Sequence, residues 1–133
     1  MIMSTQSLLK KIYDKYPKSN LVQFTNAEVK EFENKFGIIP EHYKEFLRVI
    51  GQGTIGDGNY ALYGFMDVDE VYDSLTATGL NDVVLIGDDF SGCCDAFRIS
   101  DWILGTIDIP VRFEPNDKEI TYQEYLENYL FAD

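Results

Sequence analysis

Apolar positions recur along this chain in two periods, and the periods divide it into helical and strand-forming stretches. Val29, Phe32 and Phe36 fall three and four residues apart, which is one helical face. Thr25-Asn26-Ala27-Glu28 precedes them as a capping box, with Phe24 and Val29 as its staple, and Gly37 ends the run. Tyr43, Phe46, Leu47 and Ile50 repeat the helical spacing after Pro40, and Gly51 stands where a left-handed cap belongs. A further helix is predicted from Leu8 to Tyr16, using Leu9, Ile12, Tyr13 and Tyr16 and stopping before Pro17. At the other end of the chain, Thr121 and Glu124 form a second capping box, with Ile120 and Tyr125 as staple. Tyr122, Tyr125, Leu126, Tyr129 and Leu130 supply the stripe of that closing helix. A short helix is predicted after Asp67, with Val68, Val71, Tyr72 and Leu75 on one face and Gly79 beyond it.

The period changes between these helices. Tyr60 to Phe65, Val83 to Ile86, Ala96 to Ile99 and Pro110 to Glu114 are short, rich in aromatic or β-branched residues, and bounded by Gly, Asp or Asn, which reads as strands. Two to three helices before the strands and one after them argue an α+β fold, an antiparallel sheet flanked by helices, rather than alternating βαβ units. At 133 residues one domain over 1–133 is expected. A chain of this size buries roughly two-thirds of its unfolded surface, and 45% hydrophobic and 14% aromatic residues supply the core.

Charge changes the picture. The net charge is −12. Residues 1–56 hold 8 basic and 6 acidic residues, and residues 57–133 hold 3 basic and 17 acidic ones, so the acidic excess lies wholly in the second part. This excludes a direct nucleic-acid binder, which clusters Lys and Arg against phosphates, and makes an anionic membrane a poor partner. No apolar run reaches the roughly 18 residues of a membrane span, and Met1 to Gln6 lacks the order of a signal peptide. A cytoplasmic location is therefore expected, in keeping with the adjacent Cys93 and Cys94, which suit two reduced thiols.

Candidate chemistry is sparse. Gly51-Gln52-Gly53-Thr54-Ile55-Gly56 matches a dinucleotide fingerprint in letters, but it follows a helix and leads into a strand, the reverse of the required context. It reads as a Gly-rich connection. His42 is the only histidine, on the flank of an apolar stripe, and a Cys–His nucleophile would need Cys93 or Cys94 brought to it. No zinc pair is present, and Asp88, Asp89 and Asp95 lack the spacing of a calcium loop, so no cofactor or metal is expected. Gly87-Asp88-Asp89-Phe90-Ser91-Gly92 reads as a tight acidic turn between two strands. Phe90 at its tip either anchors a partner, with the carboxylates steering, or folds back into the core. The expected binding set is Asp88, Asp89 and Phe90, with Asp57, Tyr60, Asp67, Asp69 and Asp101 around them. The partner class is a protein with a basic surface.

The run from Phe32-Glu33 through Phe36-Gly37, Ile39-Pro40, Tyr43-Lys44, Phe46-Leu47 and Gly51 resembles the SUKH superfamily, the Smi/Knr-like domains. Val84-Leu85-Ile86-Gly87-Asp88-Asp89, then Ala96-Phe97-Arg98-Ile99 and the helix Tyr122 to Leu130, extend the resemblance from about Phe24 to the end. Ile39 stands where that family often has Leu, and an aromatic more often follows the acidic turn directly than in Asp95-Ala96-Phe97. The resemblance implies helices packed on an antiparallel sheet and no catalysis. In bacteria such domains are best known as immunity proteins that neutralise polymorphic toxin domains, often nucleases; eukaryotic members are regulatory or scaffold proteins of cell-wall synthesis. A nuclease offers a basic cleft for phosphates, which an acidic protein occupies by presenting carboxylates there. The competing expectations are a regulatory module with an endogenous basic partner and a small carboxylate-dependent hydrolase.

Overall fold

The computed structural model describes residues 4–67, 80, 82–91, 93–108, 112–116 and 120–131. The predicted short helix after Asp67 lies outside these residues. Elements follow the order α1 (Thr5–Lys15), β1 (Asn20–Val22), α2 (Asn26–Phe36), α3 (Glu41–Val49), β2 (Gln52–Ile55), β3 (Tyr60–Asp67), β4 (Val83–Asp88), β5 (Cys94–Arg98), β6 (Ile103–Asp108), β7 (Arg112–Pro115) and α4 (Tyr122–Phe131). The α+β class and the antiparallel sheet are as expected.

Local chemistry places the helices. The Thr25 hydroxyl accepts from the Glu28 N–H at 3.2 Å, and the Glu28 carboxylate accepts from the Thr25 N–H at 2.9 Å. Thr121 and Glu124 do the same at the start of α4. α1 begins earlier than its apolar spacing suggests, because Ser4 caps it by accepting from the Ser7 N–H. Its buried stripe is Leu8 and Ile12 rather than Leu9 and Tyr13. Gly51 sits at φ +89° just past α3 and donates to the Phe46 carbonyl, a left-handed cap.

The seven strands lie in sequence order, β1 to β7, each antiparallel to the next. Two strands were not expected in the first part of the sheet. β2 runs inside the Gly-rich stretch that reads as a connection, and three-residue β1 pairs with it. A Cβ at Gly53 would stand 2.0 Å from the Asn20 carbonyl oxygen, so glycine there permits the backbones to approach. β6 was also not expected; Gly105 interrupts its apolar alternation.

β4 is buried on both faces. Val84 and Ile86 face the helices, with Tyr60, Leu62 and Phe97 beside them, against Leu8, Ile12, Leu47, Tyr122 and Leu126. Val83 and Leu85 point the other way and pack with Cys94, Ala96 and Ile107. Tyr43 of α3 lies at the centre of the first cluster: its ring meets Phe46, Phe65, Phe97 and Tyr122 at centroid distances of 4.9–6.1 Å. No described helix is long and apolar enough to cross a membrane.

Candidate functional site

Successive turns of an antiparallel meander fall at alternate ends of the sheet. The β2–β3 turn and the β4–β5 turn therefore share one end. The end of β3 and the β5–β6 turn share the other. Register bears this out: Ala61 pairs with Asp88, whereas Asp67 pairs with Val84 and Arg98 pairs with both Val83 and Ile103. At about 3.3 Å per residue the two ends stand roughly 15 Å apart.

This parity divides the expected binding set. Asp57, Asp88, Asp89 and Phe90 lie at one end. Asp67 and Asp101 lie at the other, so they do not surround Phe90. Asp101 is moreover paired: its carboxylate accepts from the Arg98 guanidinium at 2.8 and 3.1 Å, a bond that holds its pKa below the usual range. Tyr60 must also be removed from the exposed set, because it is fully buried on the helix face. Asp69 lies outside the described residues.

The β4–β5 turn is built to display its aromatic. Phe90 is 54% exposed and takes φ +66°, a left-handed conformation that costs a non-glycine residue about 1–2 kcal/mol. Two Asx bonds offset that strain. Asp88 Oδ1 accepts from the Phe90 N–H at 2.7 Å, and Asp89 Oδ1 accepts from the Ser91 N–H at 2.9 Å. Asp88 Oδ2 accepts from the Tyr63 hydroxyl at 2.7 Å, which ties the turn to β3. Phe90 therefore points outward on a fixed loop. Among the described residues, no lysine or arginine bridges Asp57, Asp88 or Asp89.

Beneath the turn lies a buried polar network. Asp95, on β5, is 6% exposed. It accepts from the Tyr60 hydroxyl, and the Tyr60 and Tyr122 hydroxyls stand 2.7 Å apart. The Tyr125 hydroxyl also faces Asp95 and favours its ionised form. Gly87 opens the space, since a Cβ there would lie 2.0 Å from the Tyr60 hydroxyl and 2.3 Å from that of Tyr122. Burial is the main cause that lifts the Asp95 carboxyl; the tyrosine hydroxyls oppose it, Asp89 and Asp88 add a smaller upward push, and the balance stands at about 6. Burial likewise pushes the phenols of Tyr60 and Tyr122 far up.

Tyr129, 45% exposed on α4, meets the buried Tyr60 ring at 5.4 Å with the two planes tilted by 50°, and it lies within electrostatic reach of Asp89. Neither Asp95 nor Tyr129 belonged to the expected set. Tyr129 is in the stripe of the closing helix, but only docking shows that its flank reaches the turn.

Other candidate chemistry does not assemble. Cys94 packs on the sheet face opposite α3, which carries His42. No three His, Cys, Asp or Glu side chains among the described residues gather in a metal-holding group. The Gly51–Gly56 stretch leads into a β-hairpin, not from a strand into a helix.

A family model described as SMI1 / KNR4 family (SUKH-1) matches residues 23–131. No curated protein and no solved structure matches the chain.

Proposed function

The chain belongs to the SMI1 / KNR4 family (SUKH-1), and from that premise we propose that it is a non-catalytic immunity protein that covers a cognate toxin domain with the Asp88 end of its sheet. The observation that carries this reading is Phe90, exposed at the tip of a turn that two aspartates hold in a strained conformation. An aromatic fixed outward in this way fills a partner's pocket without the entropy cost of ordering a loop. Asp57, Asp88 and Asp89 supply charge around it with no described cation to satisfy them. The partner is accordingly a basic protein surface, such as the phosphate-binding cleft of a nuclease toxin, and the protein acts in the cytoplasm where such a toxin arrives.

The test is co-purification with the protein encoded beside it, followed by affinity measurement on variants. Phe90→Ala is expected to weaken binding by at least about 30-fold, the loss of an aromatic hot spot. Its thermal stability should change little, because the ring is exposed. Wild-type affinity retained in Phe90→Ala and in Asp88→Asn/Asp89→Asn together would overturn the reading. Capture of an endogenous basic regulator instead of a toxin would favour the regulatory module.

A further inference from the structure

Asp95 has no part in the surface just described, yet it sits directly beneath it. It is a carboxyl in the core with no described lysine, arginine or histidine bridging it. The titratable and charged groups that face it come from three directions. Tyr60 comes from β3, Tyr122, Tyr125 and Tyr129 from α4, and Asp88 and Asp89 from the end of β4 and its turn. On β6 its register partner is Thr106, which does not titrate. The phenols can donate to an ionised Asp95 or accept from a protonated one, so the network accommodates both forms. The two aspartates above it favour the protonated form, because like charges repel in a poorly solvated site.

We propose that Asp95 is a proton switch for the acidic end: a cationic partner engaging Asp88 and Asp89 drives Asp95 to lose its proton, and a proton on Asp95 weakens that engagement. The inference rests on the binding reading above and adds its regulation. The physical route is short. A guanidinium or ammonium at Asp88 and Asp89 replaces a repulsive field at Asp95 with an attractive one, and the proton passes to the buffer. Linkage makes the effect reciprocal, so an ionised Asp95 adds its own attraction to the bound cation. Because burial already holds the carboxyl at about 6, the switch operates between pH 5 and 7.5. Coupling of the smallest ordinary size gives about a five-fold change in affinity.

The probe is a hexa-arginine peptide, titrated calorimetrically at pH 5 and 7.5, and at pH 6 in two buffers of different ionisation enthalpy. Wild type should bind about three- to four-fold more weakly at pH 5 than at 7.5, most of the full coupling. It should release a fraction of a proton per complex at pH 6. Asp95→Asn should show neither effect and should bind at both pH values with the weaker affinity. Equal pH dependence in Asp95→Asn, or no proton release from wild type while the peptide binds, overturns the switch and leaves the binding reading standing. Peptide affinity unaltered in Asp88→Asn/Asp89→Asn, or no binding at all, overturns both. Should Asp95→Asn fail to fold, carboxyl-carbon NMR of wild type reads the same quantity directly. The Asp95 midpoint must fall when peptide is added, and an unmoved midpoint with bound peptide overturns the switch.

Discussion

Asp95 illustrates how one residue sets two properties of this protein. Its carboxyl is lifted from the ordinary aspartate range to about 6, first by burial and then by Asp89 and Asp88. A carboxyl raised in the folded state stabilises the fold fully below its unfolded pKa, near 4, and loses that contribution as pH rises through 6. Two pKa units correspond to about 3 kcal/mol. The stability of Asp95→Asn relative to wild type is therefore expected to rise by about 2–3 kcal/mol between pH 4 and pH 7.5. Denaturant unfolding of both proteins at the two pH values checks this, and a pH-independent difference would show that burial does not perturb Asp95. Taking the difference removes any fixed cost of exchanging carboxyl for amide. Asp95 itself was legible as an acid near the turn, in company with Asp88 and Asp89. Its burial was not legible, because the tyrosines that enclose it come from β3 and α4, 35 positions before it and about 30 after.

Among the elements, α4 carries both the buried network and exposed Tyr129, so its seating governs the site. Its own last turn has no basic residue to meet the helix dipole. α1 provides one. Lys15 Nζ donates to the Leu130 carbonyl at 2.7 Å, and Lys11 Nζ stands 4.4 Å over the Phe131 ring. The basic part of the chain thus caps the acidic part's closing helix. Lys15→Met is expected to cost about 1 kcal/mol by loss of that charged hydrogen bond, measured by chemical denaturation, with partner affinity unaltered. The helices were legible because caps and periodicity act within a turn or two: the boxes at Thr25 and Thr121 form as their spelling requires. The missed strands failed for an equally physical reason. β1 exists only by pairing with β2 about 30 residues away, and β2 is held between β1 and β3. The glycine that spells a loop at position 53 is in fact what lets those two backbones meet.

For the molecule as a whole, the consequence of strand order is a division of acids between two ends. This makes a matched-charge comparison decisive. Asp88→Asn/Asp89→Asn and Asp67→Asn/Asp101→Asn remove the same two charges, but only the first pair stands beside Phe90. The first is expected to slow association with a basic partner by about ten-fold at low salt and the second by far less, in stopped-flow binding. The difference should shrink as salt rises, since screening acts over about 10 Å at 0.1 M. Equal slowing by both pairs would mean that net charge, rather than the Asp88 end, steers the encounter.

The amino-acid order alone determined the α+β class, the ends of three helices, the family resemblance and the confinement of acidic excess to the second part, because each depends on neighbours in the chain or on counting. It also determined that Asp88, Asp89 and Phe90 share a turn. Only the tertiary structure decided that this turn shares its end with Asp57 and Tyr129 but not with Asp67 and Asp101, that Phe90 faces outward, and that Tyr60 and Asp95 lie buried beneath it. These depend on the number of strand reversals between two residues and on which helix covers which face. Both are set by the cooperative packing of distant segments, whose free energy no local pattern contains.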